Sequence, residues 1–308
     1  MENVDFIVVG AGAAGLSAGI YGSRAGLKTL IFDSATVGGQ VLQIDNCENY
    51  PGIFPAENGA SLIEKMKNQA MEFGAKILLA SVKLIEKKDD VFFVKTETEE
   101  FCSKALCFAT GCEHKKLEIF GEKEFYGKGV SYCAVCDGPF FKNKDIVVVG
   151  GGDSACSEAL FLAKLASSVT IVHRRNAFRA QKSLVDRINA NKKIKVIFDS
   201  VVKEIKGSST VESVEIENVN SKLKTELATS GVFIFIGMQP KTLLVDFVQK
   251  DLKGYILTDE NMQTSVKGLF CAGDVRSKPL RQVITAASDG AVAAVSAEKY
   301  ISSLKDVR

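Results

Sequence analysis

Twice in 308 residues a glycine-rich turn stands between a short apolar run and a helical stretch, and this repetition constrains the fold more than any other feature. The first turn is Gly10-Ala11-Gly12-Ala13-Ala14-Gly15, entered from the apolar run Phe6 to Val9 and followed by an alanine-rich helical stretch to about Ala25. A second strand is predicted over Thr29 to Phe32, ending at Asp33. Strand, turn, helix, strand is the opening βαβ unit of a doubly wound sheet. The same grammar returns over Asp145 to Val149, the turn Gly150-Gly151-Gly152-Asp153-Ser154-Ala155, a helix over Cys156 to Ala166, and a strand over Val169 to Val172. At roughly 150 residues per domain the length also predicts two domains. The expected fold is α/β, with two Rossmann-like dinucleotide-binding domains.

The two turns predict different ligands. In the first, Gly10 permits the tight turn, Gly12 lets a pyrophosphate approach the backbone, and Gly15 lets the helix pack on the strand. Asp33, 18 residues after Gly15, is placed to accept a hydrogen bond from a ribose hydroxyl. The second strand of the later unit ends instead at His173, Arg174 and Arg175, with Arg179 one turn further on. An acid there would repel a 2′-phosphate. Arginines grip it through charge-assisted hydrogen bonds of about 1.5–3 kcal/mol each, enough to separate NADPH from NADH by two or more orders of magnitude.

Between these units, Lys76 to Phe108 alternates apolar and polar residues and predicts an antiparallel meander ending at Ala109-Thr110-Gly111. A similar meander is predicted from Lys195 to about Glu226, leading into Gly231 to Gly237. A strand over Gly268 to Asp274 and an alanine-rich helix over Gln282 to Tyr300 complete the expected elements. Lys plus Arg is 39 and Asp plus Glu 37, a net charge of +2 that gives no electrostatic case for nucleic acid or a membrane surface. No apolar run approaches the ~20 residues of a membrane span. The start, with Glu2 and Asp5 before Gly10, predicts no signal peptide, a cytoplasmic location and reduced thiols.

Cys133-Ala134-Val135-Cys136 is a CxxC. Zinc would need a second pair or nearby histidines, and the chain has only His114 and His173, so no metal is expected. In a chain with two dinucleotide sites, a dithiol that cycles with a disulfide uses this spacing better. Cys47, Cys102, Cys107, Cys112, Cys156 and Cys271 read as packing residues.

Cys133-Ala134-Val135-Cys136-Asp137-Gly138, followed by the GGGxSA turn and the His173-Arg174-Arg175…Arg179 run, resembles the bacterial-type, low-molecular-weight thioredoxin reductases. The resemblance covers the whole chain, through Gly38-Gly39-Gln40, Glu48-Asn49-Tyr50-Pro51-Gly52, Ala109-Thr110-Gly111, Ala272-Gly273-Asp274-Val275 and Arg281-Gln282. Val135 stands where the family usually has threonine, and Ala13 where many members have proline. The resemblance implies FAD on the first fingerprint and NADPH on the second. It also implies an NADPH domain (113–242) inserted between the two parts of an FAD domain (1–112 and 243–308).

On that reading the FAD site comprises Gly10, Gly12, Ala14, Gly15, Asp33, Gly38, Gly39, Gln40, Asn49, Ala109, Thr110, Gly111, Gly273, Asp274, Arg281, Gln282 and Val283. The NADPH site comprises Gly152, Asp153, Ser154, His173, Arg174, Arg175, Arg179, Ile236 and Gly237. Cys136 is implied to lie against the flavin, Cys133 to attack the disulfide of thioredoxin, and Asp137 to supply a proton. A homodimer is implied as well. Motif order adds an independent argument: Cys133 and Cys136 lie just before Gly150, so the dithiol and the NADPH site share one domain. Both must meet a flavin held by the other. A large rotation is therefore expected, with joints near Gly111 to Lys116 and Gly237 to Thr242.

Overall fold

Phe6–Val9, buried at every position, becomes the middle strand of a five-stranded parallel sheet. The computed structural model describes residues 1–44 and 47–306. It divides into two units, 1–113 with 239–308, and 114–238. The inserted unit begins one residue later and ends four residues earlier than the expected 113–242. The last two residues of the expected segment 243–308 lie outside the described residues.

In the first unit the parallel sheet runs in the order Leu269–Cys271, Ala105–Phe108, Phe6–Val9, Thr29–Asp33, Lys76–Leu79. Alternate residues of these strands feed two cores, because successive strand side chains point to opposite faces. Phe6, Val8, Ile31, Cys107 and Phe270 pack against the helices Ala13–Arg24, Gly59–Glu72 and Val283–Asp306. Ile7, Val9, Phe32, Phe108 and Cys271 pack against an antiparallel layer, Leu84–Lys88, Val91–Lys95 and Glu100–Ser103. Gly290 and Gly273 let the first and last helical regions close up, since a methyl group at either would collide with Ala14.

The second unit repeats the plan. Its parallel sheet runs Val130–Ser131, Gly231–Phe235, Asp145–Gly150, Ser168–Val172, Ile194–Ile197. Helices Asp153–Ala163 and Lys182–Ala190 cover one face. The meander Ser200–Gly207, Val211–Asn218, Lys224–Ala228 covers the other. The two crossings between the units, Cys112–His114 and Met238–Pro240, pair as a two-stranded ribbon.

Several expected elements shift. The predicted meander 76–108 keeps only its middle: its outer pieces, Lys76–Leu79 and Ala105–Phe108, join the parallel sheet. Ile194–Ile197 likewise leaves the second predicted meander for a parallel partner. The helix predicted from Cys156 starts at Asp153, because Gly152 is extended (φ −101°, ψ −174°) and lets Asp153 and Ser154 fill the first turn. An acid in that turn also suits the helix dipole. The strand predicted over Gly268 to Asp274 is only Leu269–Cys271, since the Gly273 N–H leaves the sheet to donate to Asp289 Oδ2 at 3.1 Å. The last helix begins at Val283, one residue after the expected Gln282, and continues to Asp306.

Candidate functional site

In the first unit the expected flavin residues converge at the C-terminal ends of the parallel strands, where such sheets bind ligands. Gly10 turns out of the strand at φ +108°, a conformation that favours glycine. The helix Ala13–Arg24 begins after Gly12 with no side-chain cap, so its first-turn N–H groups and positive dipole end are left for an anion. The Asp33 carboxylate accepts from Ala11 N–H at 2.9 Å and so is drawn to the turn. Gly38 N–H donates to the Ala11 carbonyl at 2.9 Å, which lays the 38–40 segment against the same turn. Ala109 follows from the neighbouring strand, its N–H donating to the Val9 carbonyl.

Other members are tied to one another. Gln40 Nε2 donates to the Cys112 carbonyl at 2.6 Å, and Asn49 Nδ2 to Gln282 Oε1 at 3.0 Å. Thr110 Oγ1 donates to the Lys241 carbonyl, beside Gly111 at φ +65°. Gln282 N–H donates to Thr285 Oγ1, so the turn entering the last helix is closed by the threonine. Asp274 Oδ1 is buried without a hydrogen-bond partner, with Lys278 Nζ at 3.6 Å. Burial pushes its carboxyl up from the ordinary range, against the pull of Lys278 and Arg281.

The backbone at Gly12 is open, as the close approach of a dinucleotide would require. A methyl group at Gly12 would meet only the Gly38 carbonyl, at 3.8 Å, whereas one at Gly15 would collide with the Gly10 carbonyl. Gly12→Ala is therefore expected to fold with a melting temperature near wild type and to lose FAD affinity at least about tenfold. Titration of the apoprotein with FAD, beside a thermal melt, checks both halves. Undiminished affinity would show that nothing approaches this turn.

In the second unit the basic run folds back onto its glycine turn. Arg179 N–H donates to the Gly151 carbonyl at 2.8 Å, and Gln181 N–H to Asp153 Oδ1 at 2.7 Å. Arg174, Arg175 and Arg179 are exposed, as is Ser154, while Gly152 has nothing within 4 Å of where a methyl group would sit. His173 is different. Its ring is buried against Gly151 and stacks on Phe178, at 6.1 Å between centroids. Burial holds its pKa below the ordinary value and the three arginines act in the same direction, opposed by a hydrogen bond with the Ala177 backbone. The His173 ring is thus buried beside the turn, with Nε2 unpartnered, while the arginines face solvent. Gly150 and Phe235 lie side by side in the sheet, which brings Ile236 and Gly237 (φ +116°) to the same end.

Cys133 and Cys136 form a disulfide. The short helical turn Ala134–Asp137 creates the pairing, with Cys136 N–H donating to Cys133 Sγ at 3.1 Å. Cys136 is exposed, Cys133 and Asp137 half-buried. Asp137 N–H donates to the Cys133 carbonyl, keeping the acid one residue from the exposed sulfur. Burial pushes the Cys112 and Cys156 thiols up to about 11, and raises those of Cys47, Cys107 and Cys271 as well. Those thiols are held protonated and unreactive near neutral pH.

Sequence reasoning missed two supports. Asp289 is buried in the last helix and accepts from Gly273 N–H, Arg276 Nη1 (3.0 Å) and Lys278 Nζ (2.9 Å). It clamps the 273–278 turn to that helix, and removing one partner of so buried a pair costs about 3–5 kcal/mol. Tyr132, beside Cys133, donates to the buried Glu122 at 2.6 Å, and Glu122 also accepts from Leu117 and Glu118 N–H. An acid within the alanine-rich apolar stretch Val283 to Ala297 was the available signal for Asp289. Nothing local marked Glu122. Among the described residues no group of His, Cys, Asp and Glu is arranged to hold a metal, and no helix is long and apolar enough to cross a membrane.

A model of the family described as pyridine nucleotide-disulphide oxidoreductase matches residues 4–290. A thioredoxin reductase of Treponema pallidum is 50% identical over 302 residues, covering 98% of both chains. One from Peptoclostridium litorale is 46% identical over 312 residues, covering 99% of each. The crystal structure of Lactococcus lactis thioredoxin reductase superposes with a TM-score of 0.94 at 42% identity, over 97% of this chain and 99% of that one.

Proposed function

The chain belongs to the pyridine nucleotide-disulphide oxidoreductase family and is an NADPH-dependent flavoprotein, and within that family we propose that it reduces the disulfide of thioredoxin. One observation carries the reading above the others. The Cys133–Cys136 disulfide lies in the same unit as a glycine turn onto which three exposed arginines are folded.

Bound FAD supplies the coupling between a hydride carrier and sulfur chemistry, which neither NADPH nor a dithiol provides alone. The first-turn N–H groups after Gly12 would hold its pyrophosphate, Asp33 its ribose, and the Asp274 and Arg281 segment the remainder. Gly152 and the first turn of Asp153–Ala163 hold the NADPH pyrophosphate, while Arg174, Arg175 and Arg179 hold the 2′-phosphate. The Cys133–Cys136 disulfide accepts two electrons and two protons to become a dithiol. Hydride delivery brings only one proton, and Asp137, next to Cys136, is placed to relay the second from solvent. The Cys133 thiolate then attacks the acceptor disulfide, forming a mixed disulfide and releasing one acceptor sulfur. Attack by Cys136 on Cys133 Sγ breaks that bond, frees the dithiol product and restores the starting disulfide. A homodimer in the cytoplasm fits the same reading.

The test is NADPH oxidation with purified acceptors. Multiple turnover is expected with thioredoxin, and turnover on glutaredoxin-like or peroxiredoxin acceptors alone would overturn the assignment. Replacing Arg174 and Arg175 together by alanine should raise KM for NADPH by about a hundredfold and leave NADH little changed. Equal losses with both cofactors would show that these arginines do not read the phosphate.

A further inference from the structure

The Arg281 guanidinium lies over the Tyr255 ring, 4.0 Å from its centroid. The other cation–ring pairs among the described residues span 5.2 to 5.9 Å. At this distance, and partly desolvated, the electrostatic attraction of a ring face for a cation is near its upper range. The hydrogen bonds that Arg281 makes within the chain are long by comparison: Nε to the Asp274 carbonyl and Nη2 to the Arg276 carbonyl, both 3.5 Å. The ring, more than these bonds, fixes the plane of the guanidinium.

The ring is itself held from three sides. Tyr255 is buried, at 8% exposure. Its ring lies beside the Cys112 thiol, which donates to the Asp274 carbonyl at 3.2 Å. Its backbone N–H donates to Asp251 Oδ1 at 3.0 Å, and its carbonyl accepts from Asp251 N–H at 2.8 Å. Asp251 Oδ2 in turn accepts from Ser277 Oγ. The aromatic face therefore belongs to the same network as the 274–277 turn.

We propose that Tyr255 is a positioning residue for the cofactor, an aromatic platform that holds Arg281 flat so that its remaining donors face the anionic part of the flavin dinucleotide. This rests on the reading that Arg281 belongs to the FAD site. A guanidinium on a long, flexible stem loses rotamer entropy on binding an anion, and a platform that orders it beforehand lowers that cost.

The test is FAD titration of the apoprotein, followed by flavin fluorescence, for Y255F, Y255L, R281M, R281K and the Y255L/R281M double variant. Y255F keeps the ring and should stay within about threefold of wild-type affinity. Y255L and R281M should each weaken binding about tenfold or more, and the double variant should be no weaker than R281M alone, because the ring acts only through the arginine. Additive losses, or unchanged affinity in Y255L, would overturn the platform. Unchanged affinity in R281M would instead remove Arg281 from the FAD site, and the platform with it. If Y255L does not fold, R281K carries the test: an ammonium cannot lie flat on the ring, so affinity should fall about fivefold or more, and wild-type affinity would contradict the proposal.

Discussion

Replacing either Cys133 or Cys136 by serine is expected to lower disulfide reduction at least about a thousandfold while leaving FAD bound and still reducible by NADPH. A serine hydroxyl neither forms a disulfide nor exchanges with one, so the route from flavin to acceptor is cut after its first half. Five of the six other thiols are poor substitutes. Cys47, Cys107, Cys112, Cys156 and Cys271 are buried, and burial raises their pKa values, to about 11 for Cys112 and Cys156. At neutral pH a thiol of pKa about 11 is ionised to roughly one part in ten thousand, and the thiolate is the nucleophile. Rapid mixing with NADPH separates the two halves, since the flavin should bleach at a near-wild-type rate in both variants while steady-state turnover disappears. Full turnover in either variant would remove the dithiol from the path.

The second large effect concerns motion. The dithiol and the arginine-flanked glycine turn proposed for NADPH lie in one unit, and the turn proposed for the flavin lies in the other. Cys136 cannot occupy the flavin face while a nicotinamide stacks there, and Cys133 cannot reach a protein disulfide while it is covered. On the proposed mechanism the units are expected to rotate about the two crossings between them, where Gly111 lies at φ +65° and Gly237 at φ +116°. A short covalent tether joining the units should abolish multiple turnover and preserve only the half-reaction that the trapped geometry allows. The measurement is turnover of tethered protein verified by mass spectrometry, with rapid-mixing flavin reduction alongside. Sustained turnover in a fully tethered sample would dismiss rotation.

Sequence alone revealed the parts whose cause is local. Gly10 and Gly150 sit at positive φ, where glycine is favoured, and the strand and helix around each turn announced themselves by period. The CxxC and the acid-free strand end at His173 were equally plain. What alternation could not say was which strand pairs with which. Lys76–Leu79 and Ile194–Ile197 read as meander strands because their edge positions are only half-buried, yet their partners are parallel strands more than 20 residues away. From sequence, His173 is assigned to the NADPH site because it is basic and adjacent to arginines. Its burial against Gly151 and Phe178 depends on the loop folding back, which no single segment encodes. Tyr255 and Arg281 are likewise 26 residues apart in sequence and meet only through the 274–277 turn.

The path from NADPH through flavin and the Cys133–Cys136 pair to a protein disulfide is tested most directly by following the redox state of those two cysteines. Anaerobic protein is titrated with NADPH, quenched with a thiol-alkylating reagent and mapped by mass spectrometry, before and after addition of oxidised thioredoxin. Cys133 and Cys136 should become alkylated together as NADPH is consumed, and should return to the disulfide as thioredoxin is reduced. Consumption of NADPH and reduction of thioredoxin while both cysteines remain in the disulfide would contradict the account.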